Sequence, residues 1–352
     1  MKINIAFDAR MITHSGIGRY IREILRKLTD MDGFNFTIFG DVEKLTDYKG
    51  NKVQADFSIY SIREQILFPR LLKQNRSDLL HVPHYNAPLG YKGTTVVTVH
   101  DLIHLHYPPS YVAYCYAKTM LSLSCRKAKM IIVISENTKK DLVKMLAIDP
   151  DKIRVIYPGV GEEFCPSPNP EDRLSTPNKA GYILHVGNIK PTKNIKMIID
   201  AFLLALKDIP DAHLVLIGKN SMRGYTKKLD KHPNIQFLGE MKHKGLVNLY
   251  RDAKIFVFPS LYEGFGLPPL EAMACGLPVI CSNVSSLPEV VGDAAIMIDP
   301  NKVNELSQAI IRLWKDDAKR REYSEKGLAR AKMFTWAKCA DETAEVYREC
   351  LS

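Results

Sequence analysis

At 352 residues, 46% hydrophobic and 25% charged, the chain has a globular balance and is too long for one typical domain core, so two domains of roughly 150–200 residues are expected. No apolar run approaches the ~20 residues that span a bilayer, and Met1-Lys-Ile-Asn-Ile-Ala-Phe7 reads as a first strand rather than a signal peptide. Lysine and arginine (49) exceed aspartate and glutamate (39) by ten, which suits nucleotide diphosphates or an anionic membrane face and equally a merely soluble basic protein, and no nucleic-acid module accompanies the charge.

The first half alternates short β-rich runs (Ile3–Phe7, Phe36–Phe39, Leu79–Val82, Thr95–Val99, Met130–Ile134) with helical spacing such as Ile17, Ile21, Ile24, Leu25 and Leu28, the pattern of parallel strands covered on both faces. His14-Ser-Gly-Ile-Gly-Arg-Tyr20 joins the first strand to the first helix. Gly16 and Gly18 let this turn approach a ligand or simply make a tight connection, and it lacks the third glycine of a dinucleotide fingerprint. Arg63-Glu-Gln-Ile-Leu-Phe-Pro-Arg70-Leu-Leu-Lys73 mixes apolar and basic residues and suits either a membrane surface or, slightly better, a core helix broken or started at Pro69. Val97-Thr-Val-His100-Asp101 sets a histidine at a strand's carboxyl end, the edge where α/β sheets bind ligands, with Asp101 fixing the loop. His81, His84, His104 and His106 lack metal-ligand spacing and read as loop residues near an acceptor. Ser135 is an N-cap, and Asp30-Met-Asp32 and Asp149-Pro-Asp151 are solvated turns, so no metal is expected. Seven cysteines without a Cys-x-x-Cys pair indicate reduced thiols in a cytoplasmic protein with no zinc site.

Pro166, Pro168, Pro170 and Pro177 mark a linker over 166–178. Strands then follow at Tyr182–Val186, His213–Ile217, Ile235–Leu238, Ile255–Phe258 and Pro278–Cys281, with helices including Asn194–Leu206 and Leu246–Asp252, and from Lys302 three helical pieces, the last near Trp336. His185-Val-Gly187-Asn188-Ile-Lys190-Pro-Thr-Lys193 closes the first of these strands with a lysine able to neutralise a departing diphosphate. Ile255-Phe-Val-Phe258 leads into Glu263-Gly264-Phe265-Gly266-Leu267-Pro-Pro-Leu-Glu271: a strand, a glycine turn and a helix starting near Pro268 or Pro269. Helix-start amides hold phosphate, while two carboxylates accept from hydroxyls. Sugar, ribose and diphosphate together describe a nucleotide sugar. A two-carboxylate glycoside hydrolase and a non-catalytic binding protein stay open on the residues alone.

The Glu-x7-Glu spacing resembles the motif of retaining glycosyltransferases of the GT-B fold, particularly glycosyltransferase family 4, and the resemblance runs from the glycine loop to the last helix. Phe7-Asp-Ala-Arg10, Thr98-Val-His-Asp-Leu-Ile103 and Ser135-Glu-Asn-Thr138 are similar to bacterial mannosyltransferases of O-antigen and surface-polysaccharide synthesis. The resemblance implies two Rossmann-like α/β domains facing a cleft: an acceptor-side domain at 1–165, a nucleotide-sugar domain at 179–335, and a helix at 336–352 crossing back to the first domain. It implies a hexose, mannose from GDP-mannose, moved to a saccharide or lipid-linked saccharide without metal or other cofactor, in the cytoplasm or at the inner membrane face. UDP- or ADP-sugars are the alternative donors. Glu263, Lys193 and His100 would be catalytic, with Glu271 on the ribose. Gly16, Gly18, Asn188, Lys190, Gly264, Phe265, Gly266 and Leu267 would line the donor. An arginine expected beside Lys193 is missing, since Asn188 and Thr192 stand where the family places it; Lys190 could supply the charge without the bidentate grip.

Overall fold

The computed structural model describes residues 2–167, 181–229, 231–241 and 243–352. The chain divides into two units, Met1–Gly159 with Thr335–Ser352, and Val160–Phe334. Of the linker expected over 166–178, residues 168–178 lie outside the described residues.

In the first unit β1 (Ile3–Asp8), β2 (Phe34–Gly40), β3 (Asn51–Gln54), β4 (Leu79–Val82), β5 (Thr94–Val99), β6 (Met130–Val133) and β7 (Ile153–Val155) form one sheet, ordered β3-β2-β1-β4-β5-β6-β7. Every neighbouring pair is parallel. β4 is buried along its whole length, as a strand covered on both faces must be. The helices are α1 (Gly16–Leu28), α2 (Ile62–Gln74), α3 (Ile103–His106), α4 (Tyr111–Lys127) and α5 (Glu136–Leu146). α1 buries Ile21, Ile24, Leu25 and Leu28 of the stripe its spacing predicts, while Ile17 is half-buried and Tyr20 joins the buried face. Ser135 caps α5 by accepting from the Thr138 amide at 3.1 Å.

In the second unit β8 (Ile183–Val186), β9 (Leu214–Ile217), β10 (Ile235–Gly239), β11 (Ile255–Phe258), β12 (Val279–Ser282) and β13 (Ala295–Ile298) form a second parallel sheet, ordered β10-β9-β8-β11-β12-β13. Around it lie α6 (Ile195–Ala205), α7 (Arg223–Thr226), α8 (His243–Asp252), α9 (Leu267–Ala274), α10 (Leu287–Val291), α11 (Val303–Lys315) and α12 (Asp317–Ala331). Ile198, Phe202, Ile255, Val257, Ile310 and Leu313 belong to its core.

The last helix, α13 (Trp336–Leu351), is part of the first unit. Tyr347 sends its hydroxyl to His81 Nδ1 at 2.5 Å, and Trp336 lies edge-on to Tyr20 with ring centroids 6.0 Å apart. Gly159 meets the Trp336 backbone so closely that a Cβ there would collide with it.

Three expectations are corrected. β3, β7 and β13 were not anticipated; β3 reads Asn-Lys-Val-Gln, an edge strand carrying polar residues. α2 runs through Pro69 instead of breaking there, because Phe68 and Leu72 are driven into the core on one face while Ile62, Ile66 and Leu67 stay exposed on the other. α9 starts at Leu267, one residue before the proline pair.

Each unit buries a neutral histidine. Burial first, and then the charges of His100 and His84, push His81 down to about 3. Burial likewise takes His185 to about 4, against the pull of its bond to the Val257 carbonyl. Both folded values lie below the ordinary ~6.5, so the unfolded chain binds more protons as pH falls below that value. Each histidine should therefore subtract about 1.4 kcal/mol per pH unit until its folded pKa is reached. Chemical denaturation at pH 7.5 and 5 should show a clear loss of stability at pH 5; equal midpoints would refute the burial of these rings.

Candidate functional site: an ion pair at the strand-order switch of the second sheet

Open parallel sheets bind ligands beyond the carboxyl ends of their strands, where strand order reverses. In the second unit that point lies between β8 and β11, which are neighbours in space but not in sequence. The loop after β8 carries Asn188, Lys190 and Lys193; the loop after β11 carries Glu263.

Main-chain bonds fix both loops. Gly187 N–H donates to Ile217 at 2.9 Å, Ile189 N–H to Lys219 at 2.9 Å, and Ser221 N–H returns to Ile189 at 3.0 Å, extending the β8–β9 pairing past the strand ends. A Cβ on Gly218, at φ 137°, would strike the Gly187 carbonyl, so the two backbones touch only because that residue is glycine. Pro191–Lys193 then forms a 3-10 turn. The Leu261 N–H donates to the Thr192 carbonyl at 2.9 Å and ties that turn to the β11 loop. This tie sets Lys193 beside Glu263, and Lys193 Nζ pairs with Glu263 Oε1. The two side chains are 15% and 13% exposed, which leaves the pair shielded from bulk water yet reachable. The ammonium also lies 5.0 Å from the centroid of the Phe258 ring.

The Glu263 loop is laced by two serines that sequence reading did not single out. Ser285 Oγ accepts from the Glu263 amide at 3.0 Å and donates to its carbonyl at 2.6 Å, while Ser286 Oγ reaches the Glu263 and Phe265 carbonyls at 3.0 and 2.6 Å. Gly266 has φ 122°, and a Cβ there would come within 2.7 Å of Leu287. Phe265 is buried edge-on against Phe334, so its side chain anchors the loop in the core. Pro268 and Pro269 occupy the second and third positions of α9 and carry no N–H. Of the amides that a helix start leaves without intrahelical partners, Gly266 and Leu267 therefore supply this one. Glu271 sits in α9, 2% exposed, and accepts a 2.9 Å hydrogen bond from Tyr250. Asn188 is exposed and Lys190 half-buried.

His185 was also overlooked. Its Nδ1–H donates to the Val257 carbonyl at 3.0 Å and its ring stacks on Phe258 at 5.6 Å, so Nε2 holds a lone pair. That atom, Thr192 Oγ1 and Ser260 Oγ are buried without a hydrogen-bond partner among the described residues. A Cβ built on Gly187 would lie 3.5 Å from His185 Nε2 and 3.8 Å from Lys193 Cε. Three orphaned polar atoms therefore come from the segments that carry the ion pair.

The remaining expected residues belong to the first unit. Gly16 opens α1 with free space where a Cβ would stand, whereas a Cβ on Gly18 would meet the Met11 and Ile12 carbonyls, so Gly18 already has a packing reason. His100 follows β5; its Nε2–H donates to the Pro83 carbonyl at 2.9 Å and its ring lies edge-on to Tyr20 at 4.9 Å. Burial, opposed by that carbonyl and aided by His84, lowers it to about 4, which leaves a neutral ring with Nδ1 as acceptor. The loop assignment of His81, His104 and His106 is corrected: His81 lies inside β4, bonded to Thr98 at 2.8 Å as well as to Tyr347, and His104 and His106 lie in α3, whereas His84 is in the loop after β4 as expected, buried with Nε2 3.1 Å from Asp8.

Asp8 belongs to a buried charged network. Arg10 forks onto it at 2.8 and 2.6 Å and reaches Glu64 at 2.7 Å, with Phe68 and Phe57 against its guanidinium at 4.2 and 4.9 Å. Burial alone would raise the Asp8 carboxyl, but the charge and hydrogen bonds of Arg10, then those of His84, hold it well below the usual carboxylate range. At Glu64 burial prevails over Arg10 and the carboxyl shifts upward.

The family described as "Glycosyltransferase Family 4" matches residues 14–164, and "Glycosyl transferases group 1" matches residues 169–330. O-antigen chain mannosyltransferase B of Escherichia coli is 31% identical, over 99% of this chain and 100% of the relative. Serotype-specific mannosyltransferase WbdA of the same species is 28% identical over 92% of this chain, which spans 42% of that longer protein. Among solved structures, Anabaena HepE in complex with UDP and glucose superimposes with a TM-score of 0.78 at 19% identity, covering 98% of this chain and 99% of that one. No helix among the described residues is long and apolar enough to cross a membrane. With both halves matched and a full-length relative above 30% identity, this chain belongs to glycosyltransferase family 4, an enzyme family of the GT-B fold.

Proposed function

We propose that the enzyme moves mannose from GDP-mannose to a hydroxyl of a saccharide or lipid-linked saccharide in surface-polysaccharide synthesis, with retention at the anomeric carbon and without a metal ion. The Lys193–Glu263 pair at the β8–β11 switch carries the reading, because it sets a cation and a carboxylate side by side where a nucleotide sugar needs both. The names of the full-length and partial relatives support the sugar and the polymer.

In this mechanism Lys193 and the Gly266 and Leu267 amides meet the diphosphate, whose charge grows as the glycosidic bond breaks. Glu263, released from Lys193, accepts from donor-sugar hydroxyls and steadies positive charge at the ring. Glu271 takes the ribose, and His100 orients the sugar through Nδ1. The acceptor attacks from the face the diphosphate leaves, and the leaving phosphate takes the acceptor proton. Until donor binds, each member of the ion pair neutralises the other, so neither charge stands alone in a shielded site. The enzyme would work in the cytoplasm or against the inner membrane face, where its surplus of ten positive charges suits anionic lipid.

Thermal stability against GDP, UDP, ADP and their sugar nucleotides, with EDTA present, tests the donor, since selective ligands stabilise the fold as RT ln(1 + [L]/Kd). The largest shift is expected with GDP or GDP-mannose. A larger shift with UDP-sugars, the nucleotide class seen in HepE, would replace the donor. A shift that appears only after Mg2+ or Mn2+ is restored would overturn metal independence.

A further inference from the structure

The first sheet has a switch point of its own, between β1 and β4. Asp8 ends β1, while His84, Tyr85 and Asn86 follow β4, so the buried network stands where an open sheet receives ligand. We propose that Tyr60, Tyr85, Tyr116 and His104 form a stacking platform for a pyranose ring of the acceptor, set in place by Asp8, Arg10, Glu64 and Asn86. This rests on the transferase reading and gives it an acceptor subsite.

Two observations connect the network to the rings. Tyr60 is a non-glycine residue at φ 66°, a conformation that persists in bulky side chains only where surroundings enforce it. The enforcing contact is Glu64, whose Oε2 accepts from the Tyr60 amide at 2.9 Å. The same carboxylate accepts from Asn86 Nδ2, and Asn86 Oδ1 in turn accepts from the Tyr116 hydroxyl at 2.9 Å. One buried carboxylate, held by Arg10, thus fixes the backbone beneath one tyrosine and the hydroxyl of another.

The rings lie together: Tyr60 is 5.8 Å from Tyr85 and 6.1 Å from Tyr116, and Tyr85 is 6.4 Å from His104. Tyr60 and Tyr116 are 42% and 38% exposed, and His104 is exposed. A pyranose offers an apolar C–H face of aromatic size with hydroxyls around its edge. An aromatic face is electron-rich and apolar while phenol and imidazole edges hydrogen-bond, so this cluster matches both parts of a sugar.

Tyr60→Gly tests the platform, because glycine relieves the left-handed backbone while removing the ring. Its Tm should stay at or above wild type, so a loss of function cannot be ascribed to misfolding. Saturation-transfer NMR on the full chain reads sugar contact independently of turnover, using methyl α-mannopyranoside, methyl β-N-acetylglucosaminide and α-mannotriose as probes. At least one pyranose should give a signal in wild type that Tyr60→Gly loses and Tyr116→Phe weakens. In transfer assays Tyr60→Gly should raise acceptor KM roughly tenfold, about 1.4 kcal/mol, with donor hydrolysis unchanged. An undiminished signal in Tyr60→Gly, or no signal from any pyranose in wild type, overturns the platform. Failure of wild type to turn over any sugar nucleotide, with sugar contact intact, would strike the transferase reading instead.

Discussion

Lys193→Ala should lower kcat roughly 10²–10³-fold, the range found when one preorganised stabiliser of developing charge is removed. The diphosphate gains charge as its bond to the sugar breaks, so the ammonium contributes more in the transition state than in the ground state, and donor KM should move far less than kcat. Lys193→Arg should recover only part of the rate: the turn is held by the Leu261–Thr192 main-chain bond, so the longer side chain with its delocalised planar charge cannot set the charge where the compact ammonium does. Glu263→Gln should also reduce kcat. Removing both charges should destabilise the fold less than the sum of the single changes, because each single change leaves a shielded partner uncompensated. A kcat within about threefold of wild type in folded Lys193→Ala would remove the lysine from the mechanism.

The donor half of this site was readable because its chemistry is contiguous. Strand, Glu263, glycine turn, prolines and Glu271 occupy one stretch, and a β-rich run followed by Gly-x-Gly and Pro-Pro has few ways to fold. Parallel strands with helices between them also betray themselves through short apolar runs. Contacts made by tertiary structure left less trace. Ser285 and Ser286 bond the Glu263 loop from 22 and 23 residues away, and nothing in an Asn-Val-Ser-Ser sequence announces it. His185 is a strand residue, and nothing in the sequence announces that Val257 occupies one ring nitrogen and leaves the other buried without a partner among the described residues. Arg10 meets a glutamate 54 positions later only because the chain between them traverses two strands and returns through α2. The signal that could have exposed it is local: two charges, Asp8 and Arg10, directly after the apolar run Ile5-Ala-Phe7.

That network is the place for the largest expected change in stability. Arg10→Met should destabilise the fold by about 3–5 kcal/mol, since it leaves Asp8 and Glu64 buried without their cation. Asp8 contributes stability that is present above its unfolded pKa of ~3.9 and is lost as pH falls toward its depressed folded value, so the penalty of Arg10→Met should shrink in acid. Glu64, shifted upward, acts in the opposite sense: protonation favours the folded state as pH falls through its raised folded value. Urea unfolding at pH 7, 4 and 2.5 separates the two, Glu64 acting between the first pair and Asp8 between the second, and a loss below about 1 kcal/mol at pH 7 would show that the cluster does not hold the unit together. Such an arrangement is a poor device for stability alone, because volume-matched apolar groups commonly match or exceed buried ion clusters. Arg10 even keeps Nη1 buried without a partner among the described residues. Its worth is better sought in position, in the Tyr60 backbone and the Tyr116 hydroxyl that Glu64 and Asn86 hold. The apolar triple Asp8→Leu, Arg10→Met, Glu64→Leu separates the two roles: it should be more stable than Arg10→Met, short of wild type by the cost of the Asn86, Tyr60 and His84 groups it leaves unpaired, while acceptor KM stays raised and donor hydrolysis is unchanged. Recovery of acceptor KM along with stability would mean that the charges serve the fold and not the rings.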